Sequence, residues 1–194
     1  MSDTAAAAAA DGTSRLFVAL WPDEGARASL ARWRDAWRWP PATRLVLPAH
    51  WHVTLHFLGA VPHARIASLS QALAVEAAPC PLSFGRPASW PGGVAVLEAD
   101  EVPDPLRSLH GRLADALRRE GLPLDARPWR PHVTLARHAA GGQAPDPADG
   151  ALPDVRWTAH GHTLVASEGG RYRVLRTYDS SGAGRSPQFD ASRG

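Results

Sequence analysis

The tetrapeptide His-Val-Thr-Leu occurs twice in this chain, at residues 52–55 and at residues 132–135. Both copies lie in short apolar segments that are typical of β-strands, and alternate side chains of a strand share a face. In each copy we therefore expect valine and leucine to point into a core while histidine and threonine point outward together. In the first copy the alternation continues, so that His56 is expected outward and Phe57 inward. The repeat predicts two similar lobes, each presenting one imidazole and one hydroxyl from a rigid strand.

The rest of the apolar pattern predicts an α+β fold. Short hairpin links, one of them around the Pro-Gly-Gly turn at residues 91–93, favour antiparallel pairing over a doubly wound sheet. Helical spacing of apolar residues predicts three helices, which lie before Trp39, at about 62–75 and at about 104–120. Further strands are expected at 15–20, 44–47, 82–90, 93–99 and in two segments near the C-terminus.

The chain is expected to fold as one domain at residues 15–179, between a disordered tail at 1–14 and a flexible tail at 180–194. The Gly/Pro/Asp-rich segment 141–154 is expected to be a mobile loop. The alanines near the N-terminus are too weakly apolar for a signal peptide, and no apolar run approaches the roughly 20 residues of a membrane span. We therefore expect a cytoplasmic protein. Its single cysteine, Cys80, excludes an internal disulfide framework and a cysteine-based zinc site.

The charge composition excludes two classes of enzyme. The 21 basic residues are all arginine, so that neither a ligase adenylated on lysine nor a P-loop, which needs a lysine, is compatible with the chain. The net charge is only +2, whereas a long RNA-binding groove needs a broad basic surface. The expected ligand is therefore an RNA terminus or a short oligonucleotide held in a cleft.

Two histidines facing each other across a cleft are suited to acid–base chemistry. One imidazole can take a proton from water while the other gives a proton to a leaving oxygen, because a pKa of about 6.5 makes both forms accessible. The hydroxyls of Thr54 and Thr134 can donate hydrogen bonds to the non-bridging oxygens of a phosphate between them. The pattern indicates phosphodiester cleavage with His52 and His132 as catalytic residues.

A zinc site competes for the first copy, because His52 and His56 are four residues apart. In the zinc-binding H-E-x-x-H helix the residue after the first histidine is a glutamate that acts as general base. Here that residue is Val53, and the local pattern is that of a strand. We therefore expect no metal and no cofactor.

The two H-x-T-x motifs resemble the paired signature of the 2H phosphoesterases. The segments RLFVAL, HVTLHFLG and RPHVTLAR are similar, more narrowly, to bacterial RNA 2′,3′-cyclic phosphodiesterases, historically called 2′-5′ RNA ligases. The similarity in layout covers about residues 15–179. It implies a bilobal fold in which two antiparallel sheets, related by a pseudo-twofold axis, face a central cleft and the helices pack outside.

The resemblance also implies an activity, the metal-free hydrolysis of an RNA 2′,3′-cyclic phosphate end to a 2′-phosphomonoester. His52 would give a proton to the departing 3′ oxygen, and His132 would activate water. Thr54 and Thr134 would hold phosphate oxygens. The family also joins RNA ends without ATP, in agreement with the missing lysine.

Weaker sequence signals suggest further substrate contacts. Arg130 is expected to share the face of His132 and to meet a phosphate, while Phe17 and Trp129 are candidates for stacking on a base. Family members often carry a basic residue and a tryptophan in the hairpin, where this chain has Gly92 and Gly93. That departure puts some of the substrate contacts in doubt.

Two other functions stay open from the sequence. A 2H enzyme acting on a small cyclic nucleotide or a 2′-5′ linkage would not need a neighbouring nucleotide for turnover. A non-catalytic RNA-end binder would use both histidines for phosphate contact and form no product. Whichever function holds, we expect the protein to be a monomer that does not bind membranes.

Overall fold

The repeated tetrapeptide lies at the centre of a ten-stranded antiparallel sheet in the computed structural model, which describes residues 12–146, 154–180 and 184–185. The strands follow each other across the sheet in the order β10-β9-β8-β1-β3-β6-β5-β4-β7, and β2 pairs with β6. They are β1 (Thr13–Leu20), β2 (Arg44–Leu45), β3 (Val53–Pro62), β4 (Cys80–Trp90), β5 (Val94–Ala99), β6 (His132–Arg137), β7 (Val155–Ala159), β8 (Gly161–Glu168), β9 (Arg171–Asp179) and β10 (Gly184–Arg185).

The sheet has an approximate twofold symmetry about the contact between β3 and β6. On one side of this contact lie β3, β1, β8 and β9, and on the other β6, β5, β4 and β7. Among the described residues, β3 and β6 pair at a single position, Val53 opposite Val133. The α+β class with two related lobes is therefore confirmed. The two expected sheets are joined at this one pair into a continuous, curled sheet.

In the described part of the chain, three α-helices cover one face of the sheet, namely α1 (Glu24–Ala36), α2 (Ile66–Ala72) and α3 (Asp104–Arg119). The helix α1 begins where the side chain of Asp23 accepts a hydrogen bond of 2.8 Å from the Ala26 backbone N–H, a standard N-cap. Its predicted apolar face is confirmed, since Leu30, Trp33 and Trp37 are buried. The four leucines predicted to form the face of α3 are also buried, namely Leu106, Leu109, Leu113 and Leu117.

Alternation along β1 separates the core from the cleft. Leu16, Val18 and Leu20 pack into the main core under the helices. Phe17 and Ala19 point to the other face, where they form a small cluster with Val165 and neighbouring aromatic rings. The predicted strand at 15–20 thus carries both faces of the sheet, and its second face belongs to the cleft.

Two β-bulges in β3 reverse the expected alternation after the first HVTL copy. In the pairing with β1, Thr54 lies opposite Ala19 and His56 opposite Val18, so that Leu55 is unpaired; a second shift follows at Leu58. His56 therefore turns into the protein and is 8% exposed, whereas the Phe57 side chain is 63% exposed. The predictions for His56 and Phe57 were wrong because the extra residue at Leu55 shifts the side chains between the two bulges to the opposite face.

The element boundaries differ in places from the predicted ones. The strand β1 begins at Thr13, inside the segment expected to be a tail, because it pairs with β3 from Thr13 opposite Pro62 onward. The strand β7 was not predicted, and β2 is only two residues long. Residues 1–11 of the expected tail and residues 147–153 of the expected loop lie outside the described residues. In the part of the chain that the structure describes, no helix has the length and hydropathy to cross a membrane.

Candidate active site between the two HVTL strands

The two repeated histidines are held by the same hydrogen bond. The Nδ1 atom of His52 donates to the backbone carbonyl of His50, and Nδ1 of His132 donates to the carbonyl of Arg130, both at 2.7 Å. A carbonyl only accepts, so the proton of each neutral ring is on Nδ1. The Nε2 atom of each ring is then left to take or give a proton. Both side chains are partly buried at the junction of the lobes.

The strand register brings each threonine next to the histidine of the other copy. Because Val53 lies opposite Val133, the antiparallel register sets His52 across from Thr134 and Thr54 across from His132. Both threonines are partly buried at the same junction. The junction thus presents two imidazoles and two hydroxyls in an alternating arrangement.

The His52 ring is enclosed by aromatic side chains. Its centroid lies 4.9 Å from Phe17, 5.3 Å from Trp21 and 5.4 Å from Tyr172. The pKa of His52 is lowered to about 4, mainly because the ring is buried. The hydrogen bond to the His50 carbonyl raises the pKa in part, and repulsion from His132 lowers it further. Phe17 is 4% exposed. We therefore propose Phe17 as a support for the His52 ring and not as a surface on which a base stacks.

The His132 ring has a different environment, which contains a buried carboxylate. Glu98 accepts hydrogen bonds from Trp90 Nε1 at 2.8 Å and from the Arg130 guanidinium. The Trp90 ring in turn lies 4.2 Å from the His132 ring, and Arg130 sits 5.1 Å above the Trp90 ring. The side chain of Glu98 therefore holds two neighbours of His132 in place.

Neighbouring groups change the pKa values of both Glu98 and His132. Burial raises the pKa of Glu98, but hydrogen bonds from Arg130 and Trp90 outweigh burial and leave it below its ordinary value. Burial lowers the pKa of His132, while the hydrogen bond to the Arg130 carbonyl and the charge of Glu98 raise it again. The proton of His132 is thus stabilised by a carboxylate, whereas that of His52 is not.

Trp90 and Glu98 were not predicted from the sequence. The tryptophan that family members often carry in this hairpin was interpreted as missing, because this chain has Gly92, Gly93, Val94 and Leu97 there. Gly92 and Gly93 form the turn, with φ values of 81° and 70°, a backbone conformation that favours glycine. The tryptophan is close to the turn, at the last residue of β4. A usable signal for Glu98 was its position as the only carboxylate of the apolar strand β5.

A cavity of about 810 Å³ opens beside His132 and Thr54. Trp90, Phe57 and Trp129 contribute to its wall, together with α3 and the segment 124–130. Its size falls within the range of small-molecule sites. The cavity therefore has room for a nucleoside next to His132 and Thr54.

The alternative zinc site has no support in the geometry of His56. The Nε2 atom of His56 donates to the His110 carbonyl at 2.9 Å, and the ring stacks on that of His110 at 4.1 Å. Among the described residues there is no group of three or more His, Cys, Asp or Glu side chains placed to hold a metal ion. His52 and His56 lie on opposite faces of β3.

The fold is shared with known proteins. Similar crystal structures include apo LigT of E. coli, with 28% identity and a TM-score of 0.71 over 87% of this chain and 98% of LigT. LigT complexed with 3′-AMP has 27% identity and a TM-score of 0.72, over 86% of this chain and 98% of LigT. TT0787 of Thermus thermophilus has 26% identity and a TM-score of 0.67, over 86% of this chain and 98% of TT0787.

No curated protein matches the chain. A family model described as the 2′-5′ RNA ligase superfamily matches residues 21–171, which include both HVTL strands and the cavity wall. The resemblance to the 2H phosphoesterases is thereby confirmed. On the sequence match and the shared fold together, the chain belongs to the 2′-5′ RNA ligase superfamily.

Proposed function

We propose that this protein hydrolyses RNA 2′,3′-cyclic phosphate ends to 2′-phosphomonoesters, with His52 and His132 as its acid and base. The observation that carries the proposal is the matched anchoring of the two rings, each through Nδ1 to a carbonyl two residues earlier. Such anchoring orients both Nε2 atoms and leaves them available for proton transfer. Membership of a superfamily of phosphoesterases supports the same class of reaction.

In the proposed reaction, His132 takes a proton from water while the water oxygen forms a bond to phosphorus. The negative charge of Glu98 stabilises the imidazolium that results. The bond from phosphorus to the 3′ oxygen breaks, and that oxygen receives the proton of His52. A hydrophobic enclosure makes the His52 imidazolium a strong acid, which suits proton donation to a poor leaving group. Proton exchange with solvent then restores both rings.

The phosphate itself is held by groups from both lobes. Thr54 and Thr134 donate hydrogen bonds to the two non-bridging oxygens, one from each strand, and stabilise the charge that develops on them. Arg137 adds positive charge that acts on both histidines, as its effect on their pKa values indicates. Arg130 contributes mainly through Glu98 and Trp90, because its guanidinium is already paired with that carboxylate.

The neighbours support a nucleotide ligand, since LigT of E. coli has been crystallised with 3′-AMP and with NADP+. The cavity beside His132 also supports a second candidate function, that of a 2H phosphodiesterase that acts on a small cyclic nucleotide or on a 2′-5′ linkage. A cavity of about 810 Å³ accommodates a single nucleoside without requiring a longer RNA. Action on RNA ends as a monomer in the cytoplasm remains our prediction.

The proposal is tested with a short RNA that ends in a 2′,3′-cyclic phosphate, incubated with the protein in EDTA. Phosphorus NMR is expected to show a 2′-phosphomonoester for the wild type, and His52→Ala and His132→Ala are expected to form almost none. His160→Ala provides a control, because His160 is exposed in the turn between β7 and β8. Binding of the RNA without any product would instead identify a non-catalytic RNA-end binder.

A further inference from the structure

Three aromatic rings form a stacked column in the wall of the cavity. His56 stacks on His110 with ring centroids 4.1 Å apart, and His110 stacks on Trp129 at 4.0 Å with planes only 16° apart. His56 is buried, His110 and Trp129 are partly exposed, and all three line the cavity. The column therefore forms part of the cavity wall, with Trp129 as its last ring.

Trp129 has a fixed orientation and a stacking partner on one face only. Its Nε1–H donates to the backbone carbonyl of Thr54 at 3.0 Å, so the indole is tied to the strand that carries a phosphate-holding hydroxyl. His110 covers one face, and no other aromatic ring or guanidinium stacks on Trp129 among the described residues. By comparison, Trp90 already contacts both the His132 ring and the Arg130 guanidinium.

The charges in the cavity wall are paired with each other. Arg118 forms an ion pair with Asp115 at 2.7 Å, and the guanidinium of Arg127 pairs with Asp125. The third arginine of the wall, Arg130, pairs with Glu98. An arginine that is already paired with a carboxylate attracts a phosphate much less than a free one. The cavity is thus suited to an uncharged, flat group more than to a chain of phosphates.

On the other flank, beside His52, the rings of Phe17, Trp21 and Tyr172 are packed against one another. Phe17 is nearly completely buried between His52 and Tyr172, with ring centroids 4.9 Å and 5.2 Å away. A base that stacked there would have to displace one of these rings. The open end of the column, next to Thr54, is the better platform.

We propose that the cavity holds the nucleobase of the nucleotide whose phosphate lies between His52 and His132, stacked on Trp129 on the side away from His110. The base then extends the column to a fourth ring. Stacking accepts any base, because every base has a π-face. The site therefore provides affinity for a nucleoside without strong base selectivity. The inference deepens the proposed function and rests on it for the position of the phosphate.

The test compares two cyclic phosphates that differ only in the base. One is adenosine 2′,3′-cyclic phosphate and the other is methyl β-ribofuranoside 2′,3′-cyclic phosphate. For the wild type, kcat/KM is expected to favour the nucleoside by roughly 5- to 150-fold, the usual effect of stacking one base. In Trp129→Leu this ratio is expected to fall towards one, and in Trp129→Phe most of it is expected to remain.

Trp39→Leu is the matched control, because Trp39 also stacks on another ring, that of Trp37 at 4.8 Å, and donates to a backbone carbonyl, that of Arg34. Trp39 does not line the cavity. The Trp39→Leu variant is therefore expected to have the same ratio of the two kcat/KM values as the wild type. A wild-type ratio near one, or an equal loss of both activities in Trp129→Leu, would overturn the inference. The second result would mean that Trp129 only positions Thr54.

Binding separates this inference from the proposed function. Adenosine 3′-monophosphate and ribose 5-phosphate are titrated against the protein while tryptophan fluorescence and heat are measured. If the nucleotide binds more tightly than ribose 5-phosphate, and Trp129→Leu loses this difference, the base site is supported. This holds even if neither cyclic phosphate is hydrolysed, because absence of hydrolysis would refute only the proposed reaction. Equal affinity for the two ligands would refute the base site.

Discussion

Glu98 lies directly opposite His132 in the pairing of β5 with β6. Side chains at opposed positions share a face of the sheet. In the other lobe Leu20 lies opposite Val53, so the next residue along, Trp21, takes the same place opposite His52. The two lobes therefore match in their backbone and in their histidines but differ in the partner beside each ring, a carboxylate in one and an indole in the other.

This asymmetry has a consequence for the dependence of activity on pH. Burial lowers the pKa of both histidines below 6.5, that of His52 to about 4. At a pH between the two pKa values the pair of histidines holds one proton, and the reaction needs one protonated and one neutral ring. We expect a bell-shaped profile of kcat/KM with its maximum below pH 6.5. Assays with adenosine 2′,3′-cyclic phosphate from acid to mildly alkaline pH would measure it, and a rate that keeps rising above neutrality would contradict the two-histidine account.

Replacement of Glu98 by glutamine tests the role of the carboxylate. Without its charge the pKa of His132 falls, so the alkaline limb of the profile is expected to move to lower pH. At pH 7, where His132 is already neutral, kcat/KM is expected to fall only because the His132 imidazolium that forms in the reaction loses the stabilising charge. Glu101→Gln provides the control, because Glu101 is exposed. A merely structural role for Glu98 would lower activity without moving the limb.

The site could be predicted from the sequence only as far as local alternation determines it. The repeated HVTL was sufficient to place His52 and Thr54 on one face, because a period of two holds within a regular strand. It failed at His56 and Phe57, where bulges in β3 depend on the pairing with β1 and not on the local residues. Strand register across the sheet is a tertiary property, and the sequence contains no local sign of it.

The same limit explains why Glu98 and Trp90 were missed. Both residues are distant in sequence from His132, and they become its neighbours only because β5 pairs with β4 on one side and β6 on the other. The helices were easier to predict, since the apolar face of α3 is visible in the spacing of its leucines alone. The sequence was therefore sufficient to predict the chemistry of the site. The different environments of His52 and His132 could be recognised only from the fold.

The assignment of acid and base is tested by the leaving group. A nucleoside 3′-(4-nitrophenyl phosphate) releases nitrophenolate, which needs no proton, whereas opening of a cyclic phosphate needs one. His52→Ala is therefore expected to lose about 10²- to 10⁴-fold on the cyclic phosphate and far less on the nitrophenyl ester. His132→Ala is expected to lose activity on both. The reverse pattern would assign proton donation to His132.

The threonine hydroxyls are tested by replacement with a side chain of the same shape. Thr54→Val and Thr134→Val each remove one donor to the phosphate and are expected to lower kcat by about 10²- to 10³-fold, as loss of one oxyanion donor does elsewhere. Thr54→Ser and Thr134→Ser retain the hydroxyl and are expected to recover most of the activity. Melting temperatures close to that of the wild type would exclude unfolding as the cause, and a fully active valine variant would refute the role of that hydroxyl.

The stacked histidines away from the phosphate predict a change in stability with pH. Burial lowers the pKa of His110 to about 4, and it lowers that of His56 as well. The unfolded chain, with ordinary values near 6.5, then binds more protons than the folded chain over this interval. The stability contributed by the neutral rings is complete above about pH 6.5 and is lost as the pH falls towards about 4.

For His110 this loss is on the order of 2 kcal/mol, because the ring is only partly buried and solvent weakens the effect. His110→Phe retains a stacking ring that does not titrate, so its free energy of unfolding is expected to fall less steeply over the same pH interval than that of the wild type. Urea unfolding at a series of pH values would measure the difference. His160→Phe, at an exposed position, should leave the slope unchanged. If His110→Phe also left it unchanged, the neutral state of the His56–His110 stack would not be coupled to folding.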